Sequence, residues 1–300
     1  MKNLISMRDV SKADVLKLIE LAAKIEHKEI VPDMEGKLAA LLFFEPSTRT
    51  HFSFDTAMKK LGGKTFAMTG TSTTSVKKGE TLKDTLMTIS MYADLIIMRH
   101  KIEGTPRYAA ETVDIPVINA GDGANQHPTQ AMLDLYSIQK TQGTLQNLTI
   151  GLVGDLRLGR TVHSLAQALS DFNPKFYFAS PQHLQMPPSI KGDLKTKGVQ
   201  FEEVDDLKAI IPELDVMYVT RIQKERFAVP EDYEKVKNSY IINKAMLDGV
   251  KKNFKVLHPL PRVNEISTDV DNTPYAYYFQ QARNGVFMRQ AIIATLLNNA

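Results

Sequence analysis

Apolar residues along this chain recur in two rhythms, and the switches between them lay out the elements. Val15, Leu18, Ile19, Ala22 and Ile25 fall three and four apart, the spacing of one buried helix face. Ser11, with Asp14 three residues on, makes a capping box at its start. The unbroken run from Leu38 to Phe44 has the length of a strand covered on both faces. Helical spacing returns in Phe54, Ala57, Met58 and Leu61. Further strands are predicted over residues 64–69, 94–99 and 115–120. Between them lie helices marked by Leu82, Leu86, Ile89 and Ala93, by residues 106–112, and by 128–140, where Pro128 suits a first turn. Residues 70–79 are Gly, Thr, Ser, Val and Lys with almost nothing to bury, and read as a mobile surface loop.

The second half repeats the alternation. Strands are predicted over 148–153, 175–179, 199–203, 214–220 and 254–257, with helices between them. Such alternation defines an α/β chain of two doubly wound parallel-sheet domains, with helices on both faces of each sheet. Thr141-Gln142-Gly143 ends a helix, so the expected domains are 1–142 and 143–284. A final helix over 285–297 is apolar on several sides and has no strand of its own; residues 285–300 are expected to pack back onto the first domain.

Composition narrows the function classes. Three hundred residues, 43% apolar and 24% charged, suit two ordinary globular domains. A net charge of +3 makes no case for nucleic acid or an anionic membrane, and mildly suits a small anionic substrate. There is no cysteine, which excludes disulfides, thiolate metal sites and a Cys nucleophile. No apolar run approaches the roughly 20 residues that span a bilayer, and no signal-peptide pattern opens the chain, so a cytoplasmic location is expected.

Chemistry concentrates where strands end. After the first apolar run comes Glu45-Pro46-Ser47-Thr48-Arg49-Thr50, and a helix begins at once. A strand, a tight turn and a helix there would aim three hydroxyls and the first backbone N–H groups at the positive end of a helix dipole, an anion site. Arg49 adds a planar fork of donors suited to phosphate. An ordinary N-cap explains the hydroxyls equally well. In the second half Gly154-Asp155-Leu156-Arg157-Leu158-Gly159-Arg160-Thr161 also joins a strand to a helix and also ends in Arg-Thr. It falls short of a P-loop, because Arg160 replaces the lysine and bulky residues fill the phosphate nest. Ligands of open α/β sheets sit at strand carboxyl ends, so both Arg-Thr pairs are expected to face one cleft.

Arg99-His100 closes a strand, where Arg99 either caps the sheet or points at the ligand. His127-Pro128-Thr129-Gln130 opens a helix after the Gly121-Asp122-Gly123 turn. The helix dipole disfavours imidazolium there, so His127 either caps the helix or, neutral, donates a hydrogen bond to a carbonyl oxygen. Lys77 and Lys78 on the loop are either simply solvated or reach a phosphate. Arg221 and Arg226 after an apolar strand suit a dicarboxylate. His258-Pro259-Leu260-Pro261-Arg262 reads as a stiff extended wall with a fixed Leu260 carbonyl. An excess of Arg, Lys, Ser and Thr at strand ends predicts catalysis by positioning and charge stabilisation.

Taken together, Ser47-Thr48-Arg49-Thr50, Lys78-Gly79-Glu80, Met98-Arg99-His100, His127-Pro128-Thr129-Gln130 and His258-Pro259-Leu260-Pro261-Arg262 resemble the transcarbamoylase family over nearly the whole chain. The stretches Gly121-Asp122-Gly123 and Gly285 to Arg289 extend the likeness. Within the family the pattern is aspartate-type: Arg221-Ile222-Gln223-Lys224-Glu225 fits that type, and Pro259 stands where ornithine-type members carry a cysteine.

The resemblance implies an enzyme that moves the carbamoyl group of carbamoyl phosphate to the α-amine of L-aspartate in pyrimidine biosynthesis. It implies that Ser47, Thr48, Arg49, Thr50 and Arg99 hold the phosphate. Thr50, Arg99 and His127 would bind the carbamoyl oxygen, and Gln130 and the Leu260 carbonyl its NH2 group. Arg160, Thr161, Arg221 and Gln223, with Leu260, Pro261 and Lys78, would bind aspartate. Ser75 and Lys78 would arrive from a neighbouring subunit of a homotrimer. Glu45 and Arg226 would form charge pairs in a closed state. No metal, no other cofactor and no covalent intermediate is implied; a regulatory chain is a further possible partner. Two alternatives remain open from sequence: a transcarbamoylase with another acceptor such as ornithine, and a non-catalytic phosphate-binding α/β protein.

Overall fold

The computed structural model describes residues 1–70, 79–222 and 229–298. The chain divides into two compact units, Met1–Leu133 with Arg283–Ala300, and Asp134–Ala282.

The first unit runs α1 (Lys12–Glu26), β1 (Leu38–Phe43), α2 (Thr48–Lys60), β2 (Lys64–Thr69), α3 (Leu82–Ser90), β3 (Leu95–His100), α4 (Thr105–Thr112) and β4 (Val117–Asp122), and then enters α5 (Pro128–Gln142). Its sheet has the order β2-β1-β3-β4, parallel throughout. The predicted capping box forms: Ser11 Oγ accepts the Asp14 N–H at 3.1 Å and donates to the Asp14 carboxylate at 2.8 Å. The stripe Val15, Leu18, Ile19, Ala22 and Ile25 is the buried face of α1. Residues Ala39 to Phe43 of β1 are buried on both pleat faces, as a central strand covered by helices on each side requires. One face packs Ala40, Leu42, Ile96 and Met98 against Leu86 of α3 and Ala109 of α4. The edge of β4 is covered by the N-terminal segment, whose Leu4 pairs with Ile118.

The second unit continues with β5 (Thr149–Val153), α6 (Arg160–Leu169), β6 (Lys175–Ala179), α7 (Pro188–Thr196), β7 (Gln200–Val204), α8 (Leu207–Ile210), β8 (Val216–Val219), α9 (Pro230–Val236) and β9 (Lys255–Leu257). Its parallel sheet has the order β7-β6-β5-β8-β9. One core gathers Val153, Ala179, Met217, Val219 and Val256 with Phe254 and Tyr278.

The last helix, α10 (Tyr278–Leu297), starts seven residues before the predicted Gly285. Buried polar anchors, invisible to an apolar pattern, define its first turns. Gln281 donates to Asp134 at 2.6 Å, and the Tyr278 hydroxyl bonds Asp271. From Arg283 on, the helix belongs to the first unit. There Arg289 is buried, donates to Ser53 Oγ at 2.9 Å and lies 5.0 Å above the Phe54 ring. Among the described residues, no helix is long and apolar enough to cross a membrane.

Candidate active site

Three neighbouring parallel strands of the first unit, β1, β3 and β4, end side by side, and each delivers one group of predicted site residues. Pairing of Phe43 with Arg99 sets the end of β3 beside the turn into α2. The Phe44 N–H donates to the Arg99 carbonyl at 2.9 Å, which locks the two ends together. The Gly123 N–H does the same to the His100 carbonyl at 3.0 Å, bringing in the end of β4.

Ser47 occupies the N-cap of α2 in an extended conformation, yet its side chain makes no capping hydrogen bond. The N-cap alternative is therefore not what its hydroxyl is doing. Thr48, Arg49 and Thr50 form the first turn, whose N–H groups point along the axis away from the helix body. Thr50 is buried, whereas Thr48 and Arg49 are exposed. Arg99, itself buried, spans the strand ends: Nη1 donates to the Ala120 carbonyl of β4 at 3.3 Å, and Nε lies 3.3 Å from the Glu45 carboxylate. Glu45 thus has an ion-pair partner within this unit.

His127 is buried at the N-cap of α5, where its carbonyl accepts the N–H groups of Gln130 at 3.0 Å and Ala131 at 3.1 Å. Gln130 follows in the first turn, also buried. What holds this turn in place is Asp122, which sequence reading passed over as part of a Gly-rich loop. Its buried carboxylate accepts from the Gly104 N–H (2.8 Å), the Gln126 N–H (3.1 Å), Asn119 Nδ2 (2.9 Å) and Asn125 Nδ2 (3.0 Å). Gly123 beside it has a φ of +49°, which favours glycine, and an added Cβ would sit 2.5 Å from Glu103 Cγ, which would have to move. His100 lies edge-on to Phe44, and burial lowers its pKa.

The second unit repeats the arrangement at the ends of β5, β8 and β9. Arg160, buried, is the first residue of α6, and Thr161 follows it. The two glycines of that turn are there for close approach. A Cβ on Gly154 would lie 2.1 Å from the Thr220 carbonyl oxygen, and one on Gly159 2.3 Å from that of Asp155. The first contact sets the β5–α6 turn directly against the end of β8, where Arg221 follows Thr220. The Asp155 carboxylate accepts the Leu158 N–H at 2.8 Å, so the residue that spoils a phosphate nest shapes the turn instead.

Leu260 departs from the predicted extended wall, with φ at +55°. The reason is local: its N–H donates to His258 Nδ1 at 2.7 Å, which curls the loop back on itself. His258 Nε2 meets Glu265 Oε1 at 2.8 Å. Burial lowers the His258 pKa, and the guanidinium groups of Arg262 and Arg221 add to this against the pull of Glu265. Burial would raise the Glu265 carboxyl, but the bonds from His258 and from backbone N–H groups outweigh it and hold its pKa down. Arg262 grips the Asp271 carboxylate with both Nη atoms and reaches the Tyr278 hydroxyl at 3.0 Å. Ser75, Lys78, Gln223, Glu225 and Arg226 lie outside the described residues.

Comparison with known proteins bears directly on the residues gathered in each unit. Residues 2–140 match "Aspartate/ornithine carbamoyltransferase, carbamoyl-P binding domain", and residues 146–296 match "Aspartate/ornithine carbamoyltransferase, Asp/Orn binding domain". The chain belongs to the aspartate/ornithine carbamoyltransferase family. Among relatives, it is 55% identical to the aspartate carbamoyltransferase catalytic subunit of Parabacteroides distasonis, covering 99% of this chain and 97% of that one. The Thermococcus onnurineus catalytic subunit is 50% identical, with coverage of 99% and 97%. Among solved structures, the catalytic subunit of M. jannaschii aspartate transcarbamoylase superposes with a TM-score of 0.92 at 49% identity, covering 100% of this chain and 99% of that one. Aspartate transcarbamoylase from Trypanosoma cruzi, in complex with N-(phosphonacetyl)-L-aspartic acid, gives 0.91 at 39% identity, with coverage of 98% and 95%. Two parallel-sheet units flanked by helices, closed by a C-terminal helix, are the fold of this family.

Proposed function

We propose that this chain is the catalytic chain of an aspartate carbamoyltransferase, moving the carbamoyl group of carbamoyl phosphate to L-aspartate. The observation that carries the reading is the convergence of Ser47–Thr50, Arg99 and His127 on three adjacent strand ends of one sheet. Hydroxyls, a helix N-terminus and guanidinium groups suit a phosphate, and His127 suits a developing oxyanion. The T. cruzi relative has been solved with carbamoyl phosphate and aspartate together, which supports the same substrates here.

In this reading Ser47, Thr48, Arg49 and Thr50 hold the phosphate with Arg99, and residues 1–142 with 285–300 form the carbamoyl-phosphate domain. Gln130 and the Leu260 carbonyl take the carbamoyl NH2. Arg160, Thr161, Arg221, Gln223 and Pro261, in the aspartate domain of residues 143–284, take the acceptor. The unprotonated α-amine of aspartate attacks the carbamoyl carbon. The tetrahedral oxyanion is stabilised by Thr50, Arg99 and His127. The C–O bond to phosphate then breaks, its electron pair leaves with phosphate, and the amine proton passes to phosphate. No side chain need act as general base.

Ser75 and Lys78 complete the site from a neighbouring copy, in a cytoplasmic homotrimer. The relatives are named catalytic subunits, which leaves room for a separate regulatory chain. Titration calorimetry with N-(phosphonacetyl)-L-aspartic acid tests the reading. Binding by the wild type, lost in both Arg49→Ala and Arg221→Ala, is the expected result. Binding that survives both substitutions contradicts it.

A further inference from the structure

His258 and Glu265 are buried, ionisable and unused by the mechanism above. We infer that they are positioning residues: an imidazole–carboxylate pair that holds Leu260 in its left-handed conformation and thereby fixes the direction of its carbonyl oxygen. The inference rests on the reading in which that carbonyl accepts a substrate N–H.

The hydrogen-bond geometry fixes every proton. A backbone N–H can only donate, so the Leu260 N–H at 2.7 Å requires a lone pair on His258 Nδ1. The ring proton therefore sits on Nε2 and is donated to Glu265 Oε1 at 2.8 Å. Glu265 Oε2 accepts the N–H groups of Val263 at 3.0 Å and Asn264 at 3.1 Å. The loop from 258 to 265 is thus clasped from inside, at its first residue, its middle and its far end. The clasp is itself anchored, because the His258 N–H donates to Gln281 Oε1 at 2.8 Å and Gln281 donates to Asp134 at 2.6 Å. Asp134 also accepts from the Tyr218 hydroxyl of β8 at 2.8 Å. With the two side chains 1% and 8% exposed, water is not an alternative partner. A leucine with φ of +55° is uncommon and persists where its surroundings over-determine it.

This circuit makes Glu265→Gln informative. A glutamine there has one acceptor and one NH2 where the carboxylate has two acceptors. Whichever way it turns, a donor meets a donor: either Nε2–H of His258 or the backbone N–H groups of 263 and 264. The ring can relieve the first conflict only by moving its proton to Nδ1, where it faces the Leu260 N–H. The first conflict reaches Leu260 through the His258 ring, and the second loosens the same clasp at its far end, at residues 263 and 264. Glu265→Asp keeps two acceptors on a shorter stem. His258→Asn can still accept the Leu260 N–H but no longer reaches Glu265.

The test compares wild type, Glu265→Gln, Glu265→Asp and His258→Asn in steady-state turnover of carbamoyl phosphate with aspartate. Inhibition constants for acetyl phosphate, which lacks the NH2, and for inorganic phosphate are measured alongside. Expected are a rise of about tenfold in KM for carbamoyl phosphate and a fall in kcat for Glu265→Gln, the scale of one lost hydrogen bond. His258→Asn follows the same direction, and Glu265→Asp falls between Glu265→Gln and wild type. The constants for acetyl phosphate and phosphate stay within about twofold, because a contact to NH2 is missing from both. Folded variants with unchanged kinetics overturn the inference, as does equal weakening of all three ligands. Imidazole nitrogen NMR on the same proteins reads the tautomer independently of turnover. A wild-type His258 carrying its proton on Nδ1 overturns the inference, whereas a wild type without turnover overturns the functional reading instead.

Discussion

The Asp122 carboxylate accepts the backbone N–H of Gly104 at 2.8 Å, tying the turn after β3 to the loop that leads into His127. Three further donors converge on the same buried group. Asn in its place presents an NH2 to N–H donors that the carboxylate now satisfies. Asp122→Asn is expected to destabilise the protein by about 3 kcal/mol, read as a shift in the urea midpoint. A change within experimental error would show that the loop is held by something else.

Gly154 faces the Thr220 carbonyl oxygen so closely that a Cβ would lie 2.1 Å from it, and its φ is +114°. Both backbone strain and a clash with backbone oppose any side chain. Gly154→Ala is expected to cost about 3 kcal/mol or more. It also pushes the turn carrying Arg160 away from Arg221, so KM for aspartate should rise more than KM for carbamoyl phosphate. Equal effects on both substrates would count against the placement of the acceptor in this unit.

Asp215 is one source of acid sensitivity. Burial alone would raise its pKa, but Lys251 at 2.9 Å, the Thr149 N–H at 2.8 Å and Asn253 at 3.2 Å outweigh that and lower it. A carboxyl with a depressed folded-state pKa is protonated first in the unfolded chain. Its stabilising contribution is therefore complete above the unfolded value of about 3.9 and is lost as pH falls through the folded value. Lys251→Met should flatten the loss of stability below about pH 4, measured by urea unfolding across that range. A variant with the wild-type slope would exclude Asp215 as a source.

Much of this architecture was written in the apolar pattern. β2 and β6 occupy the predicted ranges 64–69 and 175–179, and the buried face of α1 is the predicted stripe. Short-range signals suffice there, since spacing and capping act within a few residues. The motifs at Ser47, Arg99, His127, Arg160 and Arg221 were legible as residues at strand ends. That β1 lies beside β3, and β5 beside β8, was not, because strand order depends on contacts dozens of residues apart. The supporting polar circuits were also hidden. Nothing near Asp122 in sequence announces Gly104, and nothing near Asp134 announces Tyr218 or Gln281. Leu260, expected to be extended, instead has a positive φ, with its N–H turned back onto His258, which in turn meets Glu265.

Removing His127, the proposed oxyanion donor, should lower kcat by about 10²- to 10³-fold, the usual effect of losing one such group. KM for carbamoyl phosphate should move far less, since Ser47 to Thr50 and Arg99 remain. A His127→Ala enzyme that turns over normally but binds carbamoyl phosphate poorly would reassign the residue to ground-state binding.

The most direct measurement is phosphate release from carbamoyl phosphate by the purified protein, with L-aspartate, with L-ornithine and with no acceptor, for wild type and Arg49→Ala. The account predicts release with aspartate alone, abolished in Arg49→Ala. Release with ornithine would contradict the acceptor assigned to Arg160 and Arg221. No release with either acceptor, from a protein shown to be trimeric, would contradict catalysis itself.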